Sequence, residues 1–244
     1  MKIWRMTEPE DSHFAAAGLC GAWSESGELC PECTSSTSGR AQPLIVEWES
    51  GSDVIGDFTW TAGGTAPMVT RSVCKELAAR FGGFEGGPVE MKWDKKFERP
   101  VKPNPRARRR VWLPYEGPPL CELWVTKRVA FDPERTTAKL TRKCGTCGRE
   151  YWEVQCVEWH KPGMDVSHFP PEHRAKMNLE YFKPVDVYRV PGAGLFVTRK
   201  ELGSAGIFEC HAWGWTFCTD DVKQFIEKMK YTNVTFWEFG EVVD

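Results

Sequence analysis

Two pairs of cysteines have the spacing of a metal site. Cys30-Pro-Glu-Cys33 and Cys144-Gly-Thr-Cys147 each place two residues between two thiols. That gap allows both thiolates of a pair to reach one ion at about 2.3 Å, so two pairs can complete a tetrahedron. Cys30, Cys33, Cys144 and Cys147 therefore form a candidate structural zinc site. A redox dithiol and unmetallated thiols are the alternatives that the spacing leaves open.

The residue that follows each pair differs between the two. Gly148 follows the second pair, at a position that commonly needs a positive φ, which glycine adopts without strain. Thr34 follows the first pair, and a β-branched residue disfavours positive φ. We therefore expect the first turn to be less regular than the second.

The two pairs are far apart in the chain. Roughly 110 residues separate them, against about 15–20 in a compact zinc ribbon. Closing such a loop costs roughly 4–5 kcal/mol of chain entropy, and a structural zinc ion contributes about 10–16 kcal/mol. The ion can therefore join the two halves of the chain. Its role would be structural, because four thiolates leave no open position for water or substrate.

No set of catalytic residues is visible in the sequence. The five histidines (His13, His160, His168, His173 and His211) form no His-Glu-x-x-His pair and no adjacent acid–base motif. His160, His168 and His173 lie in a proline-rich stretch that is typical of a surface loop. No glycine pattern matches a phosphate-binding loop. We expect a protein that is not an enzyme.

The charge and apolar content of the chain indicate which kind of partner and which cellular compartment to expect. The formal net charge is −2, so the chain lacks the net basic character of most nucleic-acid-binding proteins. The most apolar segment, residues 14–23, is shorter than the roughly 18–20 residues that cross a membrane. We expect a cytoplasmic protein without a membrane partner. In that reducing compartment, the six cysteines outside the pairs are expected to be small buried hydrophobic residues.

Hydrophobic patterns predict a strand-rich α+β fold. Helices are expected over residues 70–81 and 220–231, capped by Thr70 and Thr219. On the first helix, Val73, Leu77 and Ala78 are expected to share the buried face with Phe81. Strands are expected over residues 44–48, 58–61, 120–125, 186–190, 195–198, 213–218 and 234–239.

A basic, proline-rich run occupies residues 99–110, with three prolines and six lysines or arginines. It could be an arm that binds nucleic acid or an acidic partner. The interpretation that we favour is a solvated connection between two lobes of a single domain, about 1–98 and 111–244. The four-cysteine site would then join the two lobes.

The order of these motifs resembles the bacterial double-CxxCG motif family. The resemblance rests on the two cysteine pairs, on Gly148-Arg149 after the second pair, and on three C-terminal motifs, Asp186-Val-Tyr-Arg189, Leu195-Phe-Val-Thr198 and Val234-Thr-Phe-Trp-Glu-Phe239. It covers the two cysteine regions and the C-terminal part, about half of the chain. The sequence departs from the family at Thr34, where the family has glycine, and has an insertion around residues 203–213.

The resemblance implies an immunity protein. Such a protein would act in the cytoplasm and protect the cell from one polymorphic toxin delivered by sibling cells, by binding the toxin without catalysis. The insertion would help to reject the toxins of related immunity proteins. The alternative from another class is a zinc-ribbon nucleic-acid-binding protein that uses the 99–110 run.

One aromatic segment beside the insertion is a candidate toxin-binding site. It contains Phe208, His211, Trp213 and Trp215. Alternation along a strand places the indoles of Trp213 and Trp215 on the same face. That face is either part of the core or part of an interface, where aromatic side chains make strong anchors.

Overall fold

The computed structural model describes most of both ends of the chain and part of its middle. The described residues are 1–9, 14–19, 30–33, 43–48, 55–61, 67–92, 115, 117–136, 138–154, 159–160, 188–189, 194–211 and 213–244. Strands dominate these residues and the helices are few and short, so the strand-rich α+β prediction is confirmed. No helix among these residues is long and apolar enough to cross a membrane.

Three helices and sixteen strands are described. The helices are α1 Arg71–Ala78, α2 Arg199–Leu202 and α3 Asp220–Met229. The strands, in chain order, are β1 Lys2–Thr7, β2 Ala17–Leu19, β3 Leu44–Trp48, β4 Phe58–Thr59, β5 Met68–Thr70, β6 Phe84–Lys92, β7 Leu120–Val125, β8 Arg128–Val129, β9 Ala138–Lys143, β10 Glu150–Val154, β11 Trp159–His160, β12 Tyr188–Arg189, β13 Leu195–Thr198, β14 Ile207–Cys210, β15 Trp213–Thr219 and β16 Thr235–Val243.

The strands form two six-stranded sheets and two hairpin ribbons. The first sheet has the order β2-β3-β6-β7-β5-β4, and the second has the order β13-β16-β1-β15-β14-β8. β9 pairs with β10 and β11 pairs with β12 in the two ribbons. The predicted strands over 44–48, 120–125 and 195–198 are confirmed with their bounds. The strand at 58–61 is shorter than predicted, and of the strand predicted at 186–190 only residues 188–189 are described, as β12. The strands predicted at 213–218 and 234–239 end later than predicted, at Thr219 and Val243.

Strand pairing crosses the predicted division between the lobes. β1, from the N-terminal end, lies inside the second sheet between β15 and β16. β7, from beyond the basic run, pairs with β5 and β6 in the first sheet. The basic run at residues 99–110 lies outside the described residues, so its role as a connection stays a prediction.

Helix α1 begins where its cap was predicted and ends earlier than expected. The Thr70 hydroxyl accepts a hydrogen bond from the Val73 amide at 3.5 Å. The helix ends at Ala78, and Ala78 is exposed. The buried positions are Val73, Cys74 and Leu77, which lie on one face at helical spacing. Cys74 therefore occupies the place on the buried face that the sequence analysis gave to Ala78.

Helix α3 is tied to β1 at its N-terminus. Thr219 is the N-cap residue, as predicted, but its side chain makes no capping hydrogen bond. Asp220 instead accepts hydrogen bonds from the Lys2 amide and from Trp4 Nε1, both at 2.7 Å. The helix dipole favours this carboxylate in the first turn, so the same residue stabilises the helix and its contact with the second sheet.

The two sheets share one cluster of core residues. Trp60 of the first sheet region is 1% exposed, and its indole N–H donates to the Asn233 carbonyl at 2.7 Å. The Asn233 side chain in turn donates to the Phe58 carbonyl at 2.9 Å. The buried residues that pack together come from both sheets and both long helices: Met6, Phe58, Trp60, Val69, Val73, Cys74, Leu77, Phe84, Leu123, Ile207, Cys218, Val222 and Ile226.

Candidate metal centre

The two distant cysteine pairs come together in space. The four sulfur atoms of Cys30, Cys33, Cys144 and Cys147 all lie within 4.8 Å of one another. Cys30 Sγ lies 3.5 Å from Cys144 Sγ, and Cys33 Sγ lies 3.5 Å from Cys147 Sγ. Four sulfurs bound to one ion at about 2.3 Å are about 3.8 Å apart in a tetrahedron. The donor set and its spacing therefore fit a single metal ion.

The second pair is positioned by the turn of a β-hairpin. Cys144 directly follows β9, and its amide donates to the Arg149 carbonyl at 2.8 Å across the turn. The Gly148 amide donates to the Cys144 carbonyl at 3.0 Å. Gly148 has a φ of 72°, as expected from its place after the pair. The first pair lies in a turn at residues 30–33, and the chain on either side of this turn, including Thr34, lies outside the described residues.

One side of the cluster is buried and the other faces solvent. Cys30 is 0% exposed and Cys144 is 1% exposed, whereas Cys33 is partly exposed and Cys147 is exposed. The protein encloses the thiols of Cys30 and Cys144, and Cys33 and Cys147 can close the site on the side nearer to solvent. Within the described residues, this is the only group of three or more histidine, cysteine or acidic side chains that is placed to hold a metal ion.

Glu32 joins the two cysteine turns directly, and the sequence analysis missed it. Its Oε2 accepts hydrogen bonds from the Thr146 amide at 3.1 Å and the Thr146 hydroxyl at 2.9 Å. Its Oε1 accepts one from the Gly145 amide at 3.3 Å. Hydrogen bonds to the Glu32 carboxylate lower its pKa below the usual value, and the bond from the Thr146 hydroxyl has the largest effect. The carboxylate is therefore charged at neutral pH and orients one turn against the other.

Without a metal ion, the Cys144 thiol holds its proton tightly. A hydrogen bond from the Cys147 amide lowers the pKa of the Cys144 thiol. Burial and the thiols of Cys147 and Cys30 together have the larger, opposite effect, and they raise this pKa to about 12. At neutral pH this thiol is protonated when no ion is bound. A metal ion must displace the proton, so the affinity of the site for metal depends on pH.

The hairpin that carries the second pair depends on two attachments. β9 and β10 form a ribbon separate from both large sheets, and β9 is exposed from Lys139 to Lys143. The Trp152 ring packs edge-on against Phe131 with a centroid distance of 5.1 Å, and Phe131 packs on the core of the second sheet. A two-stranded ribbon is marginally stable on its own. The cysteine cluster therefore fixes its tip, and Trp152 fixes its base.

The aromatic segment around β14 and β15 is divided between core and surface. Phe208 is 0% exposed and stacks on Phe217 with a centroid distance of 5.9 Å. Phe208 thus lies in the core, where a partner cannot contact it, and we remove it from the candidate interface. His211 is exposed and Trp215 is partly exposed, so both are accessible to a partner. The side chain of Trp213 lies outside the described part of the structure.

The cysteines outside the pairs behave mostly as small core residues. Cys74, Cys210 and Cys218 are buried, which confirms the prediction for these three. Cys121 is only partly buried, because it lies on β7 beside Cys74 at the margin of the core. Cys20 and Cys156 lie outside the described residues, as do His13, His168, His173 and the side chain of His160.

Comparisons with known proteins add no family. A scan against models of protein families finds no match for the chain, and a search among curated proteins finds no significant similarity. The resemblance to the double-CxxCG motif family therefore rests on the cysteine pairs and on the C-terminal motifs.

Proposed function

We propose that the protein is an immunity protein that binds and neutralises a cognate polymorphic toxin in the cytoplasm, in a fold stabilised by zinc. The observation that carries the proposal is the approach of the two distant cysteine pairs to within 4.8 Å. The resemblance to the double-CxxCG motif family depends on these same four residues. Their proximity supports a shared role for the two motifs.

The donor set supports zinc over calcium and magnesium. Four thiolates are soft ligands, and a tetrahedral arrangement of sulfur suits zinc. Calcium and magnesium prefer oxygen ligands, and none of the four ligating residues supplies one. Zinc bound by four thiolates has no open position and no redox chemistry. We therefore assign it a structural role and assign the inhibition of the toxin to a binding surface.

The side chains available near β14 and β15 support binding as the mode of inhibition. His211 follows β14 and is exposed, and Trp215 of β15 is partly exposed. Trp213 is the first residue of β15, two positions before Trp215. Tryptophan is enriched at the centre of protein interfaces. His211, Trp213 and Trp215 are therefore the residues that we propose to contact the toxin.

Co-expression tests the proposal in cells. The full chain is expressed together with candidate toxin domains, such as those encoded by neighbouring genes, and an unrelated toxin of the same kind serves as the control. We expect growth to be restored only with the cognate toxin, and the two proteins to co-purify. Growth arrest in cells that contain folded, soluble protein would refute the proposed function. Binding to DNA that weakens steeply with salt would favour the nucleic-acid alternative.

A further inference from the structure

Among the described residues, Arg5 is the one strand cation of the second sheet without an ion pair. The six strands contain three basic residues, Lys2, Arg5 and Arg128. Lys2 pairs with Glu238 at 2.5 Å, and Arg128 pairs with Glu209 at 2.9 Å. Among the described residues, no carboxylate lies within ion-pair distance of Arg5. The second sheet therefore presents a positive charge that its own acidic residues do not neutralise.

Two tryptophan rings hold the Arg5 side chain in place. Its guanidinium carbon lies 3.9 Å from the centroid of the Trp215 ring and 5.0 Å from that of Trp237. Arg5 is the direct cross-strand partner of Trp237 on β16, and its neighbour on β15 is Phe217. Attraction between the cation and the two rings orients the guanidinium before any partner arrives. A group fixed in this way loses little conformational freedom on binding.

The environment of Arg5 favours pairing with a carboxylate. Its Nε is buried and has no hydrogen-bond partner among the described residues. Arg5 is partly buried, and this burial lowers the pKa of its guanidinium below the usual value. A partly dehydrated guanidinium gains most from a charge-assisted hydrogen bond. Because Nε is enclosed, a carboxylate would reach the side chain end-on, through the two Nη groups.

The tryptophans beside Arg5 form a rigid platform. The Trp215 ring meets Phe239 edge-on at a centroid distance of 5.5 Å, and Phe239 is 1% exposed. Arg5, Trp215 and Trp237 themselves are each partly exposed. Partly exposed tryptophan and arginine side chains on a packed base are typical of the centre of a protein interface.

We propose that Arg5, Trp215 and Trp237 form a docking surface for an acidic segment of a partner protein. An aspartate or glutamate of that segment pairs with Arg5, and a neighbouring apolar side chain covers the two indoles. The partner's identity rests on the proposed function, according to which the segment belongs to the toxin. Trp215 is already among the residues that we propose to contact the toxin, and the docking surface adds Arg5 and Trp237 to them.

The charge on this sheet suits one carboxylate better than a nucleic acid. A nucleic acid carries many phosphates and binds through several lysines or arginines at once. Lys2 and Arg128 are already neutralised by Glu238 and Glu209. Side chains of a strand alternate between the two faces of the sheet, so Lys2, three positions before Arg5, lies on the opposite face. Glu238 is the direct partner of Trp4 and lies on that opposite face too. A polyanion over Arg5 and Trp237 would therefore meet one cation of the described strands.

The first experiment titrates the full chain with the toxin domain identified by co-expression. Arg5→Met removes the charge and keeps an apolar stem. The matched control is Arg80→Met, because Arg80 also lies over a ring, 4.8 Å from Phe225, elsewhere on the molecule. We expect Arg5→Met to weaken binding at least about tenfold and Arg80→Met to leave it unchanged. Equal affinities of Arg5→Met and wild type would overturn the docking surface and leave the proposed function intact.

A second experiment tests the surface without the toxin. The full chain is titrated by calorimetry with a short synthetic peptide rich in aspartate, glutamate and leucine, and with a counterpart in which lysine replaces the acids. The acidic peptide should bind, Arg5→Met should weaken its binding, and Arg80→Met should not. No binding of the acidic peptide, or equal binding by Arg5→Met, would overturn the surface.

Two further outcomes separate the proposals. A toxin that fails to bind wild-type protein would refute the proposed function, and the peptide titration would then decide the surface alone. If single-stranded DNA binds more tightly than the acidic peptide, and binds Arg5→Met less tightly than wild type, the choice of a protein partner would be overturned.

If Arg5→Met unfolds, Arg5→Lys replaces it, because lysine keeps the charge but cannot contact a carboxylate with a planar fork.

Discussion

Substitution of Cys144 by serine tests whether the metal centre stabilises the fold. Cys144 is 1% exposed, and its sulfur lies 3.5 Å from that of Cys30. Serine removes a thiolate from the cluster and leaves a hydroxyl that binds zinc weakly. We expect the variant to lose the ion, and with it the link between the turn after β2 and the turn after β9.

The size of the expected loss follows from the separation of the linked residues. Cys30 and Cys144 are 114 positions apart in the chain. Holding them together closes a loop of about 100 residues, which costs roughly 4–5 kcal/mol of chain entropy, and the ion contributes about 10–16 kcal/mol when it binds the folded chain. The difference is a net stabilisation of at least about 5 kcal/mol, so we expect the free energy of unfolding to fall by that amount, a large part of the roughly 5–15 kcal/mol of a typical domain. The melting temperature should fall by at least about 10 °C.

Elemental analysis and thermal unfolding measure the two effects. Wild-type protein should contain about one zinc ion per chain, and a chelator should lower its melting temperature as Cys144→Ser does. The control is Cys121→Ser, which changes a partly exposed cysteine outside the cluster and should keep the ion. Wild-type protein without metal, or a Cys144→Ser variant as stable as wild type, would refute the reasoning.

Three further predictions concern other residues. Glu32→Ala should weaken zinc binding about 10–100-fold in competition with a chelator, while Glu32→Gln, which keeps an acceptor oxygen, should lose less. Replacement of Arg108, Arg109 and Arg110 by serine should change the free energy of unfolding by less than about 0.5 kcal/mol and leave protection intact; lost protection with an intact fold would support the arm interpretation. Trp213→Ala should keep its melting temperature and bind toxin at least about 30-fold more weakly, whereas Phe208→Ala should lose about 3–5 kcal/mol of stability. A strongly destabilised Trp213→Ala would end the interface interpretation.

The cysteine cluster was predictable because its signal is local and chemical. The two-residue gap within each pair permits shared coordination, whatever chain lies between the pairs. Glu32 was not predictable in the same way. Its hydrogen-bond donors, Gly145 and Thr146, belong to the other turn, which is brought near it only by the folded structure. The sequence shows Glu32 between Cys30 and Cys33, but it does not show which residues Glu32 contacts.

Strands with continuous apolar residues were predictable, and strands with polar or turn-forming residues were not. β1 contains Lys2 and Arg5, and its central place depends on pairing with the distant β15 and β16. β6 contains Gly86, Gly87 and Pro88, which are usually depleted in strands. A Cβ at Gly86 would lie 2.8 Å from Cys74 Sγ, so helix α1 packs against β6 only if this residue is glycine. The requirement comes from packing between elements, which a local pattern does not contain.

A calorimetric titration of the zinc-loaded chain with the toxin domain identified by co-expression tests the central claim most directly. The account predicts a saturable equimolar complex and loss of toxin activity as the complex forms. It also predicts only a modest loss of affinity with added salt, because a mixed protein interface depends less on released counterions than a nucleic-acid interface does. The absence of binding to the toxin by folded, zinc-loaded protein would contradict the account.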